Sequence, residues 1–150
     1  ARSNSRLHTD SGLCDNFSAI ILWNDGSYAV ISQTLAGFEH PHLVELVGTM
    51  GAVRAWWAAA MDREAQPSFG MKLIEGLKGG EGFDECIAKD VRMDRPSGEL
   101  YELEEQIRQF VISIKEGRPM VSGEEARKAV ILCLKGEESA RLQKEIPIPF

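Results

Sequence analysis

The segment Phe38-Glu39-His40-Pro41-His42 is where this sequence comes nearest to chemistry. Residues two apart in an extended chain point the same way, and Pro41 favours that geometry for its neighbours, so His40 and His42 are expected on one face. Two imidazoles side by side begin a metal site or line a polar-ligand rim. A metal shell needs further ligands converging at about 2 Å, and no Asp, Glu, His or Cys stands at a spacing that completes one. Solvated histidines are the default reading, and a loop rim against a polar ligand is the functional one. No metal is expected.

Other residue types are less suggestive. Glu45 lies within the apolar run Leu43 to Val47, where a lone carboxylate needs a partner, and Arg54 across a hairpin supplies one. Trp56-Trp57 puts one indole on each face of its strand, a pattern of core and interface. Gly79-Gly80-Glu81-Gly82 after Lys78 lacks the Gly-Lys-Ser/Thr ending of a phosphate loop and reads as a turn. Serines sit in no Gly-x-Ser-x-Gly elbow, so no nucleophilic centre is expected and no catalytic residue is assigned. Cys14, Cys86 and Cys133 are odd in number and widely spaced, a poor disulfide framework; they are expected as buried free thiols. His8 reads as a surface residue.

The elements that position these groups follow from periodicity. Cys14 to Trp23 and Ser27 to Leu35 flank Asn24-Asp25-Gly26, a strong hairpin signal. Phe17, Ala19, Ile21 and Trp23 alternate with Ser18, Ile20 and Leu22, so the first strand is apolar on both sides. After a loop over Gly37 to Pro41, His42 to Val47 and Ala52 to Trp57 form a second hairpin around Gly48-Thr49-Met50-Gly51. Ala58 to Gln66 reads as a short helix or loop. Gly70 to Leu77 and Phe83 to Val91 form a third antiparallel pair. Beyond Asp94 the period lengthens: Leu100, Leu103, Ile107, Phe110, Val111 and Ile114 make a helical stripe, with Ser97 as N-cap, Glu99 in the first turn, and Gly117 and Pro119 as the stop. Ser122-Gly123-Glu124-Glu125 is a capping box opening a second helix, whose Ala126, Ala129, Val130 and Cys133 offer a small-residue packing face. That helix ends near Arg141, and Ile146 to Phe150, broken by Pro147 and Pro149, is an edge strand or a tail. The predicted class is α+β: a mainly antiparallel open sheet with helices packed on one face and the other face available for dimerisation.

Size and charge agree with one soluble domain over residues 1–150. A chain of 150 residues buries about 70% of its unfolded surface. Its 43% hydrophobic and 27% charged content suits a globular fold. With 17 Lys+Arg against 23 Asp+Glu the net charge is -6, the wrong sign for nucleic acid or an anionic membrane. The longest uncharged apolar stretch, Phe17 to Trp23, is too short to span a bilayer. No secretory signal opens the chain, and a cytoplasmic location is expected. The first residues already read as strand, so an N-terminal part is expected to precede them.

Taken in order, these segments resemble one family. Asp15-Asn16-Phe17-Ser18-Ala19-Ile20 leading to Asn24-Asp25-Gly26-Ser27 resembles the strand pair that opens the sheet of the Gfo/Idh/MocA oxidoreductases. His42-Leu43-Val44-Glu45-Leu46-Val47-Gly48-Thr49-Met50-Gly51-Ala52 is similar to that family's E-x-x-G-T-x-G hairpin. Phe110-Val111 through Glu116-Gly117-Arg118-Pro119, then Ser122 to Ala129, resembles its two closing helices, and Glu138-Ser139-Ala140-Arg141 with a short final strand fits its end. The resemblance implies the C-terminal domain of an enzyme that moves a hydride between NAD or NADP and a hydroxyl carbon of a sugar, inositol or related polyol. The cofactor would belong to an N-terminal Rossmann domain in cis; no G-x-G-x-x-G and no Glu-Lys-Pro occurs here. This chain alone would bind no cofactor and turn over no substrate. It would wall the substrate pocket, with His40 and His42 as binding residues by position, and pair with a second copy through its open sheet face. The competing expectation is a self-contained dimeric α+β module, binding a small ligand or purely structural, without enzymatic activity.

Overall fold

The computed structural model describes residues 1–7, 9–60, 64–76, 86–96 and 98–150, without the side chains of Glu99 and Leu100. Among these residues seven strands and two helices run in the order β1 (Arg2–Asn4), β2 (Asn16–Leu22), β3 (Tyr28–Thr34), β4 (His40–Gly48), β5 (Gly51–Ala59), β6 (Ser68–Gly76), β7 (Cys86–Asp90), α1 (Glu99–Glu116) and α2 (Gly123–Leu142). The class is α+β with open, antiparallel sheets, as the periodicities predict. The strands divide into two sheets, ordered β1-β2-β3 and β4-β5-β6-β7. The chain divides likewise into two compact units, Ala1–Gly37 with Pro119–Phe150, and Phe38–Arg118. No described helix is long and apolar enough to cross a membrane.

In the first unit, Asp25-Gly26 closes the β2–β3 hairpin. Gly26 takes φ 87°, and Asp25 Oδ1 accepts the Ser27 N–H at 2.9 Å and the Ser27 hydroxyl at 2.6 Å. Register pairs Ile20 with Val30 and Leu22 with Tyr28. Their shared face is open to solvent, whereas Phe17, Ala19 and Ile21 on the other side are half-buried. Phe17 reaches α2 at Gly136, where an added Cβ would stand 3.0 Å from its ring. Small size at Gly136 therefore sets how closely the helix approaches. The face of α2 that is covered runs through Leu132, Gly136 and Ser139; Ala126, Ala129, Val130 and Cys133, expected to pack, are exposed. Both sets recur at helical spacing, and residue size alone does not say which of them meets the sheet. Ser139 Oγ accepts from the Ala1 amino group at 2.8 Å and donates to the Lys144 carbonyl at 2.7 Å.

Asp15 is 1% exposed, and its Oδ2 accepts the N–H groups of Arg6 and Leu7 at 2.5 and 2.6 Å. A buried carboxylate is tolerated when backbone donors solvate it, and here it pins the loop between β1 and β2. The capping box at α2 is complete: Glu125 N–H donates to Ser122 Oγ at 3.1 Å, and Ser122 N–H to Glu125 Oε2 at 3.0 Å. Ile146 to Phe150 pairs with no described strand and is a tail.

In the second unit β4 lies at a sheet edge. It begins at His40, so Pro41, expected in a loop, stands inside a strand. An edge position tolerates a residue without an N–H. β5 continues to Ala59, so Ala58 and Ala59, expected to begin a short helix or loop, belong to the strand, and Glu64 to Gln66 lie in neither helix nor strand. The predicted turn over Gly79 to Gly82 lies outside the described residues, as do His8 and the proposed cap Ser97. α1 ends as predicted: Gly117 is left-handed at φ 65°, and Arg118 N–H returns to the Ser113 carbonyl at 3.1 Å. Its stripe is not buried. Leu103, Ile107, Phe110 and Ile114 are each more than half exposed.

Candidate binding site at Trp57 and the start of α1

The edge hairpin β4–β5 brings the histidines to Trp57. Register sets His42 opposite Trp57 and His40 opposite Ala59. His40 and His42 therefore share a face, as the extended geometry requires, and Trp57 and Ala59 beside them are the buried apolar residues of the described chain. The His42 and Trp57 ring centroids lie 5.4 Å apart with planes tilted by 43°, within the range of favourable aromatic pairs. His42 thus touches the indole with one side of its ring and stays exposed to solvent. No cluster of three or more His, Cys, Asp or Glu side chains stands close enough to hold a metal ion among the described residues.

Trp57 is 6% exposed, and its Nε1 is a buried donor without an acceptor among the described residues. An indole N–H in that state costs about 1–3 kcal/mol, and such a group in a native fold calls for an explanation. Against it lies Gly98, the N-cap of α1. A Cβ at Gly98 would collide with Nε1, so only glycine lets the chain lie against the indole; its φ of 134° also suits glycine alone. Gly98 carries no side chain to cap α1. Its own N–H donates to Glu102 Oε1 at 3.2 Å, and its carbonyl accepts the N–H groups of Tyr101 and Glu102. Tyr101 ties the same turn to the strand connection by donating its hydroxyl to the Ala65 carbonyl at 2.9 Å.

The opposite face of this sheet is built differently. Glu45, Arg54, Lys72 and Asp90 form one transverse row across four strands. Arg54 Nη2 meets Glu45 Oε1 at 2.6 Å, the pairing expected from the sequence, and Lys72 Nζ lies 3.7 Å from Asp90 Oδ1. Beside that row Trp56 lies over Gly70, its register partner, where a Cβ would collide with the ring. The two indoles point to opposite faces, as alternation demands, and only Trp57 is buried. All three cysteines are exposed rather than buried. Cys14 precedes β2 in a loop, Cys86 begins β7, the far edge strand, and Cys133 lies on the uncovered side of α2.

Of the sequence-predicted residues, the structure brings His42 to a buried polar atom and places His40 next along the same face. Gly98 and Glu102 were not legible as site residues. The only signal was a glycine directly before a helical run, a position usually read as a boundary. The chain matches no family model, no curated protein and no solved structure.

Proposed function

We propose that this chain is a substrate-facing and self-associating domain of the kind found in the Gfo/Idh/MocA oxidoreductases. In that reading a Rossmann domain elsewhere in the polypeptide binds NAD or NADP, and hydride passes between the nicotinamide and a hydroxyl carbon of a sugar or inositol-like substrate. The 150 residues here supply a wall of the pocket and no catalytic group, because hydride transfer requires the cofactor carbon held against the substrate. The observation that carries the reading is the order of the matching segments along the chain. Three of them fall on elements of suitable type: the first block on the β2–β3 hairpin, the E-x-x-G-T-x-G block on the β4–β5 hairpin, and the third on α1 and the capped start of α2; the closing strand expected after Arg141 is a tail.

The test is turnover. The longer gene product should reduce NAD(P) in the presence of a polyol panel, and residues 1–150 alone should not. Absence of nicotinamide-linked turnover in the longer product, across sugars and inositols, sinks the reading.

The self-association part is supported by the open face of the β2–β3 hairpin. Ile20, Leu22, Tyr28 and Val30 are all about two-thirds exposed, and the neighbouring pair Ser18 and Ser32, 3.2 Å apart through their hydroxyls, adds no charge. A flat, uncharged apolar face on a chain of net charge -6 suits contact with an identical face across a two-fold axis.

A further inference from the structure

We propose that Trp56, Arg54 and Lys72, on the sheet face turned away from Trp57, form a binding site for a flat aromatic anion. The ligand's ring stacks on the Trp56 indole, and its negative group sits between the two cations. This site goes beyond the oxidoreductase reading and does not rest on it. The three side chains stand on β5 and β6.

The floor of the site is made by a glycine. Trp56 and Gly70 are register partners, and a Cβ at Gly70 would collide with the six-membered ring of the indole. The indole therefore lies over the neighbouring strand instead of standing off the sheet. A glycine inside a strand weakens it and marks a place where another group comes close to the backbone. One ring face is taken up by Gly70. Trp56 as a whole stays half-buried, which leaves ring surface on which a second aromatic can stack.

The charge comes from the next pair along the same face, where Arg54 stands opposite Lys72. Like charges directly opposite each other destabilise a strand pair. Each cation has an acid on its outer side, Glu45 on β4 for Arg54 and Asp90 on β7 for Lys72. Neither acid uses up its cation. Arg54 gives Nε and Nη2 to a single oxygen, Glu45 Oε1, at 3.2 and 2.6 Å, and its Nη1 has no partner among the described residues. Lys72 Nζ stands 3.7 Å from Asp90 Oδ1, beyond hydrogen-bond range, and that carboxylate is 83% exposed. A negative group between Arg54 and Lys72 relieves their repulsion and takes charge-assisted bonds from both. Their long stems carry the charged heads above the sheet, level with a ring resting on the lying indole. A neutral ring leaves the cations unanswered, and an aliphatic anion leaves the indole face unanswered. Both demands together set the class of ligand.

In a two-dimensional nitrogen–proton spectrum, Trp56→Leu identifies the Trp56 indole resonance among those of Trp23, Trp56 and Trp57. Titrated with sodium benzoate, that resonance should move saturably while the other two stay fixed. Cyclohexanecarboxylate keeps the charge without the aromatic face, and benzyl alcohol keeps the ring without the charge. Each should bind about tenfold more weakly than benzoate. Lys72→Gln removes one cation from a solvent-accessible position and should weaken benzoate about tenfold, with an unchanged circular dichroism spectrum. Gly70→Ala sets a methyl under the indole, tips it off the strand and should abolish the shift; if that variant fails to fold, Lys72→Gln decides. The proposal is overturned by a Trp56 resonance that benzoate leaves unmoved, or by cyclohexanecarboxylate, benzyl alcohol or inorganic phosphate binding as tightly as benzoate. Parental affinity in Lys72→Gln, or in a folded Gly70→Ala, overturns it equally. Turnover by the longer product is a separate readout that bears on the oxidoreductase reading alone.

Discussion

Glu105 shows how a surface carboxylate is tuned by its own helix. The Arg108 guanidinium hydrogen-bonds it, Gln109 Nε2 adds a bond at 2.8 Å, and Arg95 Nη2 lies at 3.1 Å, which together hold its pKa down to about 2. A depressed carboxylate stabilises the fold above its unfolded pKa near 4.5, and that contribution is lost as the pH falls from there through about 2. Carboxyl carbon shifts followed by NMR should therefore show Glu105 titrating near pH 2. A midpoint close to 4.5 would show that the Arg108 pairing does not persist in solution. The cysteines give a second check at this scale. Because Cys14, Cys86 and Cys133 are exposed, a thiol reagent should titrate three groups in the native protein without denaturant. One or none reacting would contradict the placement of their segments.

Elements are held by a few local contacts that substitutions can isolate. Ser122→Ala removes the acceptor for the Glu125 amide and breaks the reciprocal box, so it should cost about 1 kcal/mol in denaturant midpoint analysis. Gly136→Val places branched carbons where a single Cβ already stands 3.0 Å from the Phe17 ring. Overpacking of that kind costs about 1–3 kcal/mol, and it should outweigh any helix-propensity gain. A Gly136→Val protein as stable as the parent would mean that α2 is not seated on β2. The two helices differ in this respect. α2 is fitted to its sheet by a glycine and a buried serine, whereas α1 touches its own sheet chiefly through Gly98.

For the whole molecule, the question is what covers the apolar surface that the chain leaves exposed. The β2–β3 face offers four large side chains in an uncharged field, and the α1 stripe offers four more. Monomers rarely expose contiguous patches of this kind. If the β2–β3 face meets its twin, Ile20→Glu or Val30→Glu buries like charges against each other across the two-fold axis. Sedimentation velocity should then show the parent as a dimer and the variants as monomers of unchanged secondary structure. A parent that sediments as a monomer at high concentration removes the sheet-face dimer.

Much of the fold could be read along the chain because its signals are local. Asp25-Gly26, Gly117 and Ser122 to Glu125 act through their own backbones, and each does what its residue type dictates. The facing of His40 and His42 and the Glu45–Arg54 pairing follow from the two-residue period of strands and the length of one turn. Contacts between distant segments could not be read. Two stripes on α2 had the right spacing, and only Phe17 against Gly136 selects between them. The strands could have formed one sheet, and the ladders seen are two, because pairing between non-adjacent strands is settled by packing rather than by pattern. The buried indole donor belongs to this second class. A tryptophan in a strand and a glycine before a helix are ordinary residues forty-one positions apart, and their meaning arises where folding sets one against the other with no acceptor for the indole among the described residues.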